Sequence, residues 1–331
     1  MKEIEKQIAT PNTFFNNYRK VSDSIEAAKS DKPKNQRTCR FCGSKNETNY
    51  RTKAHIIPEL LGAHNHLSDS ECDLCNRIFA EHENHLANFY GPFNSLLGIR
   101  TKKKVPVFKS RNEQYCTSIS VKNENGTPRI FFGDNLNDFK FDNDRKRLTI
   151  NFKKKSFIPV AVYKSFLKMA ISICPDDSLI HFESLIKWLM DVKSKHPANQ
   201  FPFLLYRTRL TKMKFDKPFA TLYFPSITSN TNPNFSRLAT IVVHAGISVF
   251  QTFFLIDENL EIDTKDEIPF YKYPAYVHDI KTPDNCEKFE VPINSLSKLK
   301  QIILNGDKKV DYDDELIHLS FKKVRRSKDI E

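Results

Sequence analysis

Four cysteines fall into two pairs of one spacing, Cys39-Arg40-Phe41-Cys42 and Cys72-Asp73-Leu74-Cys75. Each pair offers two soft thiolates, and four thiolates satisfy a tetrahedral zinc ion. A redox dithiol is the rival reading of any one pair, but two pairs flanking one compact stretch favour metal. An all-cysteine site has no open position for water or substrate, so the expected Zn2+ is structural and contributes to folding. Between the pairs stands Ala54-His55-Ile56-Ile57-Pro58-Glu59, and Asn76, His82 and His85 follow the second pair. A histidine titrates near neutrality and can take a proton from water when its other ring nitrogen is held. Asn76 can orient such a histidine, cap the helix after Cys75, or do both. His64 and His66 lie in a polar stretch and are expected to be solvated.

These side chains need elements to position them. Short strand-like pieces dominate from Cys39 to Lys53, Leu60 to Leu67 reads as loop, and Asn76 through Tyr90 has helical periodicity, giving a strand, strand, helix order around the cysteines. Upstream, Phe14, Tyr18, Val21 and Ile25 recur at helical spacing and predict an amphipathic helix of about five turns, followed by a basic linker from Ser30 to Arg37. Downstream, Val105 to Phe157 alternates strand patterns with turns at Asn125, Gly126 and Gly133. Pro159 opens a helix whose face carries Val162, Phe166, Met169, Ala170 and Ile173, ending at Cys174 and Pro175. A second helix is predicted over Leu179 to Val192, and strands over Phe203–Leu210, Phe219–Phe224, Leu238–His244 and Ile247–Ile256, the last two as a hairpin about Gly246. The fold class expected from this order is α+β, with antiparallel strands and two central helices.

With its knuckles and His-Ile-Ile-Pro strand, the chain resembles zinc-containing HNH endonucleases of the ββα-metal type. The family pattern is a first knuckle, a His-Ile-Ile-Pro-like strand, a Leu-Gly loop, then Cys-x-x-Cys-Asn and a helix. Here it is matched by Cys39 and Cys42, His55 through Gly62, and Cys72, Cys75 and Asn76, and the likeness continues through Asn88 to Phe93, Gly98-Ile99-Arg100 and Val105-Pro106. The resemblance implies a zinc-stapled ββα-metal module that hydrolyses phosphodiester bonds in nucleic acid, with double-stranded DNA the expected partner and 5′-phosphate ends as product. A role in restriction or anti-phage defence follows by analogy. It also implies His55 as general base, Asn76 as the middle Asn of the motif, and His85 as a ligand of Mg2+ or another divalent catalytic ion, with His82 as the neighbouring alternative. Many relatives carry an Asp, Glu or His ligand just before the base, where this chain has Ala54. Either His82, Glu81 or Glu59 then substitutes, or the chain is a catalytically degenerate, zinc-stabilised nucleic-acid-binding or regulatory protein.

The 331 residues carry 52 Lys plus Arg against 40 Asp plus Glu, a net charge of +12, which favours a polyanionic partner. Arg100, Lys102, Lys103 and Lys104 form a basic run on a strand-like segment and are candidates for phosphate contact, and Lys322, Lys323, Arg325 and Arg326 are weaker ones. No apolar run suggests a signal peptide or membrane span, so the expected setting is cytoplasmic, with no membrane partner and with a homo-oligomer compatible. The expected organisation is an N-terminal helix and linker over 1–37, the nuclease module over 38–106, and an α+β domain over 107–331 that selects substrate, senses a signal or mediates assembly. Cys116, Cys174 and Cys286 have no partner spacing and are expected to be buried thiols. His244, alone in a β-branched strand, is expected to be a core or surface histidine.

Overall fold

The computed structural model describes residues 11–29, 31–62, 65–101, 104–109, 118–124, 127–132, 139–152, 155–191, 205–210, 214–226, 237–256, 271–274, 287–290 and 315–320. In chain order the elements are α1 (Pro11–Asn17), β1 (Tyr18–Asp23), α2 (Ser24–Ala27), β2 (Ala54–His55), β3 (Leu67–Ser68), α3 (Asp73–Tyr90) and α4 (Phe93–Leu96). Then come β4 (Phe108–Lys109), β5 (Ser118–Glu124), β6 (Thr127–Phe132), β7 (Phe139–Asp142), β8 (Arg147–Phe152), α5 (Pro159–Ile173) and α6 (Glu183–Met190). The series closes with β9 (Leu205–Arg209), β10 (Phe215–Pro225), β11 (Leu238–Gly246), β12 (Ser248–Leu255), β13 (Glu287–Glu290) and β14 (Glu315–Ser320). Helices and strands are thus mixed, and the strands pair antiparallel.

The largest sheet runs β1-β10-β11-β12-β9-β13. Its centre is the hairpin of β11 and β12, buried along its whole length and closed by Gly246 and Ile247 between Ala245 and Ser248. Gly246 has φ +56, the left-handed conformation a two-residue turn requires. Helix α5 packs on this sheet through β10, β11 and β12 and on α3 from the other side. Because it is covered from both sides, every residue from Ala161 to Ile173 is buried, two lysines included. One continuous cluster of buried side chains runs from Cys39, Ile56 and Phe79 through Phe166 and Leu167 to Ile241 and Phe250.

Three expected elements differ. The predicted five-turn N-terminal helix is broken: Tyr18 to Asp23 is a strand paired with Thr221 to Pro225, because backbone pairing at the sheet edge and burial of Tyr18 outweigh local helical periodicity. The segment from Cys39 to Lys53 is built of turns, and the strands lie later, as the short pair β2 and β3. The helix expected over Leu179 to Val192 begins as a 3-10 stretch at Asp176–Phe182 and becomes α-helical only over α6, and Val192 lies outside the described residues. The Pro159 helix and the Gly246 hairpin stand as expected. Asn125, Gly126, Gly133, Phe203, Cys116, Cys286, His64 and the basic tail from Lys322 lie outside the described residues, whereas Cys174 is buried and His66 half-buried. His244 is a core residue, stacked on Phe219 with ring centroids 4.1 Å apart. Among the described residues no helix is long and apolar enough to cross a membrane.

Candidate active site and metal centre

Each cysteine pair is shaped by its own turn. Cys39 N donates to Ser44 O and Gly43 N to Cys39 O, both at 2.8 Å, with Gly43 at φ +71 to close the first knuckle. The second pair sits at the start of α3, where Asn76 N donates to Cys72 O at 2.9 Å. The two turns bring the four Sγ atoms within 4.8 Å of one another, with Cys39–Cys75 and Cys42–Cys72 at 3.6 Å. Thiolates about 2.3 Å from a tetrahedral metal are about 3.8 Å apart, so the donor set fits a metal such as zinc. Three of the cysteines are buried and Cys42 is exposed.

The lead-in to β2 is tied to the start of α3. Asp73 accepts from Arg51 N at 3.0 Å, Thr52 N at 2.8 Å and Thr52 Oγ1 at 2.5 Å. Slight burial acts against its charge, but these bonds hold its carboxyl below the ordinary range. Asn76, one turn further along, donates from Nδ2 to Thr52 Oγ1 at 3.4 Å. Chain and helix therefore meet just ahead of the strand that carries His55.

His55 pairs with Leu67 across β2 and β3, and the next residue extends the contact, Ile56 N donating to His66 O at 2.8 Å. Ile56 and Ile57 are buried and anchor the strand, leaving the His55 side chain one-fifth exposed. Its Nε2 lies 3.3 Å from Glu59 Oε1. Pro58 and the 3-10 turn Glu59–Leu61, closed by Gly62 at φ 98, fold Glu59 back toward the imidazole. The product is an accessible imidazole with a carboxylate beside it.

Behind this pair lies a buried ionic cluster. Lys168 of α5 donates to the main-chain oxygen of His55 and pairs with Glu71 Oε2 at 3.0 Å and Glu83 Oε1 at 3.7 Å. Burial pushes Glu71 up to about 7 and raises Glu83, while Lys168 pulls both the other way. For Lys168 burial acts against the charge, but the two carboxylates outweigh it and hold its pKa above the ordinary lysine value. Nothing local marked Glu71, Glu83 and Lys168 as partners. Two weak signals existed: Glu83 lies seven residues from Asn76, on the same helix face, and Lys168 interrupts an apolar helix.

The structure does not bring His82 and His85 to this side. Glu83 and His85 are two residues apart on α3, hence about 200° apart around its axis, and Asn76 and His85 are about half a turn apart and about 13.5 Å along it. Accordingly His85 Nδ1 accepts from Ile158 N at 3.1 Å, at the start of α5. His82 belongs to the buried stripe with Cys75, Phe79 and Leu86 and faces Lys164 and the Leu189 backbone. Burial first, then Lys164, lowers its pKa to about 4. Glu81 is exposed. Among the described residues the four cysteines are the one set of three or more His, Cys, Asp or Glu side chains close enough to hold an ion, so a second ion would draw on few protein ligands. In the basic run, Arg100 and Lys104 are exposed, Thr101 bonds back to Lys104 O, and none of Arg100, Thr101 and Lys104 is in a strand, while Lys102 and Lys103 lie outside the described residues.

Neither the curated proteins nor the solved structures contain a match to this chain. One family model does match, that of the HNH endonucleases, over residues 39–89. These limits enclose both cysteine pairs, the His55 strand and most of α3, so residues 39–89 are the stretch of this chain that is similar to the HNH endonuclease family.

Proposed function

We propose that this segment is a metal-dependent endonuclease centre of the ββα-metal type, hydrolysing phosphodiester bonds in DNA, with a structural zinc on Cys39, Cys42, Cys72 and Cys75. The observation that carries the reading is His55, held at the end of β2 with its ring one-fifth exposed and Nε2 3.3 Å from Glu59 Oε1, inside the family match. His55 takes a proton from water as the oxygen attacks phosphorus, and the bond to the 3′ oxygen breaks to leave a 5′-phosphate. Glu59 holds the imidazole and favours its charged form as the proton arrives. Glu59 and the Asn76 amide oxygen would hold a divalent cation such as Mg2+, and such a cation, when bound, would supply charge stabilisation at the leaving oxygen. His82 and His85 are left out because α3 turns them toward α5 and α6.

A nicking assay on supercoiled plasmid with Mg2+, Mn2+ or Ni2+ tests this. The wild-type chain is expected to nick, and His55→Ala to lose about 100-fold or more at unchanged zinc content, the usual contribution of a positioned general base. Equal nicking by the variant removes His55 from the chemistry. A second reading, a nucleic-acid-binding module without catalysis, is favoured by Ala54, whose methyl group offers no ligand, and by the small ligand set. It predicts no nicking with any of the three metals but salt-dependent DNA binding.

A further inference from the structure

We infer that Lys168 is a positioning residue of the nuclease centre, reaching from α5 to clamp the strand that carries His55 against α3. The inference rests on the nuclease reading of His55. Groups from three separate segments meet at the Lys168 Nζ: the His55 main-chain oxygen on β2, which accepts a hydrogen bond from it, and two carboxylates paired with it by charge, Glu71 immediately before the second cysteine pair at 3.0 Å and Glu83 on α3 at 3.7 Å. The side chain that joins them is 1% exposed and belongs to a helix outside the matched family segment.

Stability alone gives no reason for this arrangement. Taking Lys168 and Glu71 out of water costs several kcal/mol per ion, and well-packed apolar side chains at such positions are often as stable or more so. What apolar packing would not supply is a directional bond to one carbonyl, and that carbonyl belongs to the residue whose ring does the chemistry. A misplacement of about 1 Å at a reacting group can cost about 100-fold in rate. A second tie holds the same helix: Arg40, inside the first knuckle, donates to Ile171 O, Ser172 O and Cys174 O at 2.7, 2.9 and 3.0 Å, taking up carbonyls at the end of α5. Lys164, one turn before Lys168, is committed elsewhere, to Trp188 O and Asp191 O at the end of α6. The geometry of the His55 strand is thus set by α5 as well as by the zinc knuckles.

The test uses the full zinc-loaded chain and three variants. Lys168→Met removes the charge and keeps the stem; Lys168→Met with Glu71→Gln also removes the carboxylate left behind; Lys168→Arg keeps the charge but not the single-nitrogen geometry. Plasmid nicking gives kcat and KM, and the NMR signals of the His55 ring, assigned by their loss in His55→Gln, report its placement whether or not the chain cleaves. Expected are a kcat at least about tenfold lower with KM within about twofold in both Met variants, a smaller loss in Lys168→Arg, and displaced His55 signals in all three. A folded, zinc-loaded Met variant whose kcat stays within about twofold of wild type, or whose His55 signals do not move, overturns the assignment. If both Met variants fail to fold, unmoved signals in Lys168→Arg overturn it. If the wild-type chain nicks nothing, the nuclease reading fails, and the ring signals alone decide whether Lys168 positions that strand.

Discussion

At position 82 the apolar stripe of α3 carries an imidazole, 4% exposed, with Lys164 and His85 nearby and the Leu189 backbone against it. Burial first, and then the Lys164 charge, works against a proton there, so its pKa falls to about 4 from an ordinary 6.5. The consequence for stability has a definite sign. The unfolded chain takes up this proton near pH 6.5 and the folded chain only near pH 4, so stability is full above pH 6.5 and falls as pH drops through that window, by an amount of order 3 kcal/mol. Urea unfolding at a series of pH values should show this loss in the wild type and a flatter profile in His82→Gln, and superimposable slopes would refute it. The residue type invited a metal-ligand reading, because His82 and His85 stand near the cysteines in sequence. Which side of a helix a histidine faces relative to a distant strand is not written in that spacing.

At the level of elements, α3 and α5 were legible because each carries its signals locally: a run of apolar residues at helical spacing, Pro159 at the first turn of α5, and Gly91 just past the end of α3. The β1 strand was not, since its conformation comes from pairing with β10. The hairpin turn at Gly246 was predicted, but not what presses on it. A Cβ added there would lie 2.5 Å from Tyr90 Oη, 3.0 Å from Leu97 Cδ1 and 3.1 Å from Ile99 Cδ1, so the sheet and the end of α3 meet at a glycine. Gly43 has the same handedness of backbone with nothing within 4 Å of such an atom. Gly43→Ala should therefore cost only the left-handed backbone penalty, about 1–2 kcal/mol. Gly246→Ala should cost clearly more, because Tyr90 must also move. Thermal melts of the two variants side by side decide it, and equal losses would mean that Tyr90 yields freely.

Across the whole molecule, the cysteines of the metal centre and the hairpin of the main sheet belong to one buried cluster, with α5 between them. Loss of the metal should therefore be felt beyond the knuckles. Metal analysis should find about one zinc per chain, and Cys75→Ser should lose it together with several kcal/mol of stability. In calorimetry the main transition should shift down as a whole; a small separate transition with the remainder unmoved would show that the knuckles fold independently. The sequence by itself determined the donor set, the His55 strand and the periodic helices, because thiolate spacing, turn residues and apolar periodicity act within a few residues. Only the tertiary structure decided that His82 and His85 face α5 and α6, and that a lysine 113 residues from His55 holds its backbone. Those are matters of which faces dock, and docking depends on burying surface between segments far apart in the chain, for which no local pattern carries the address.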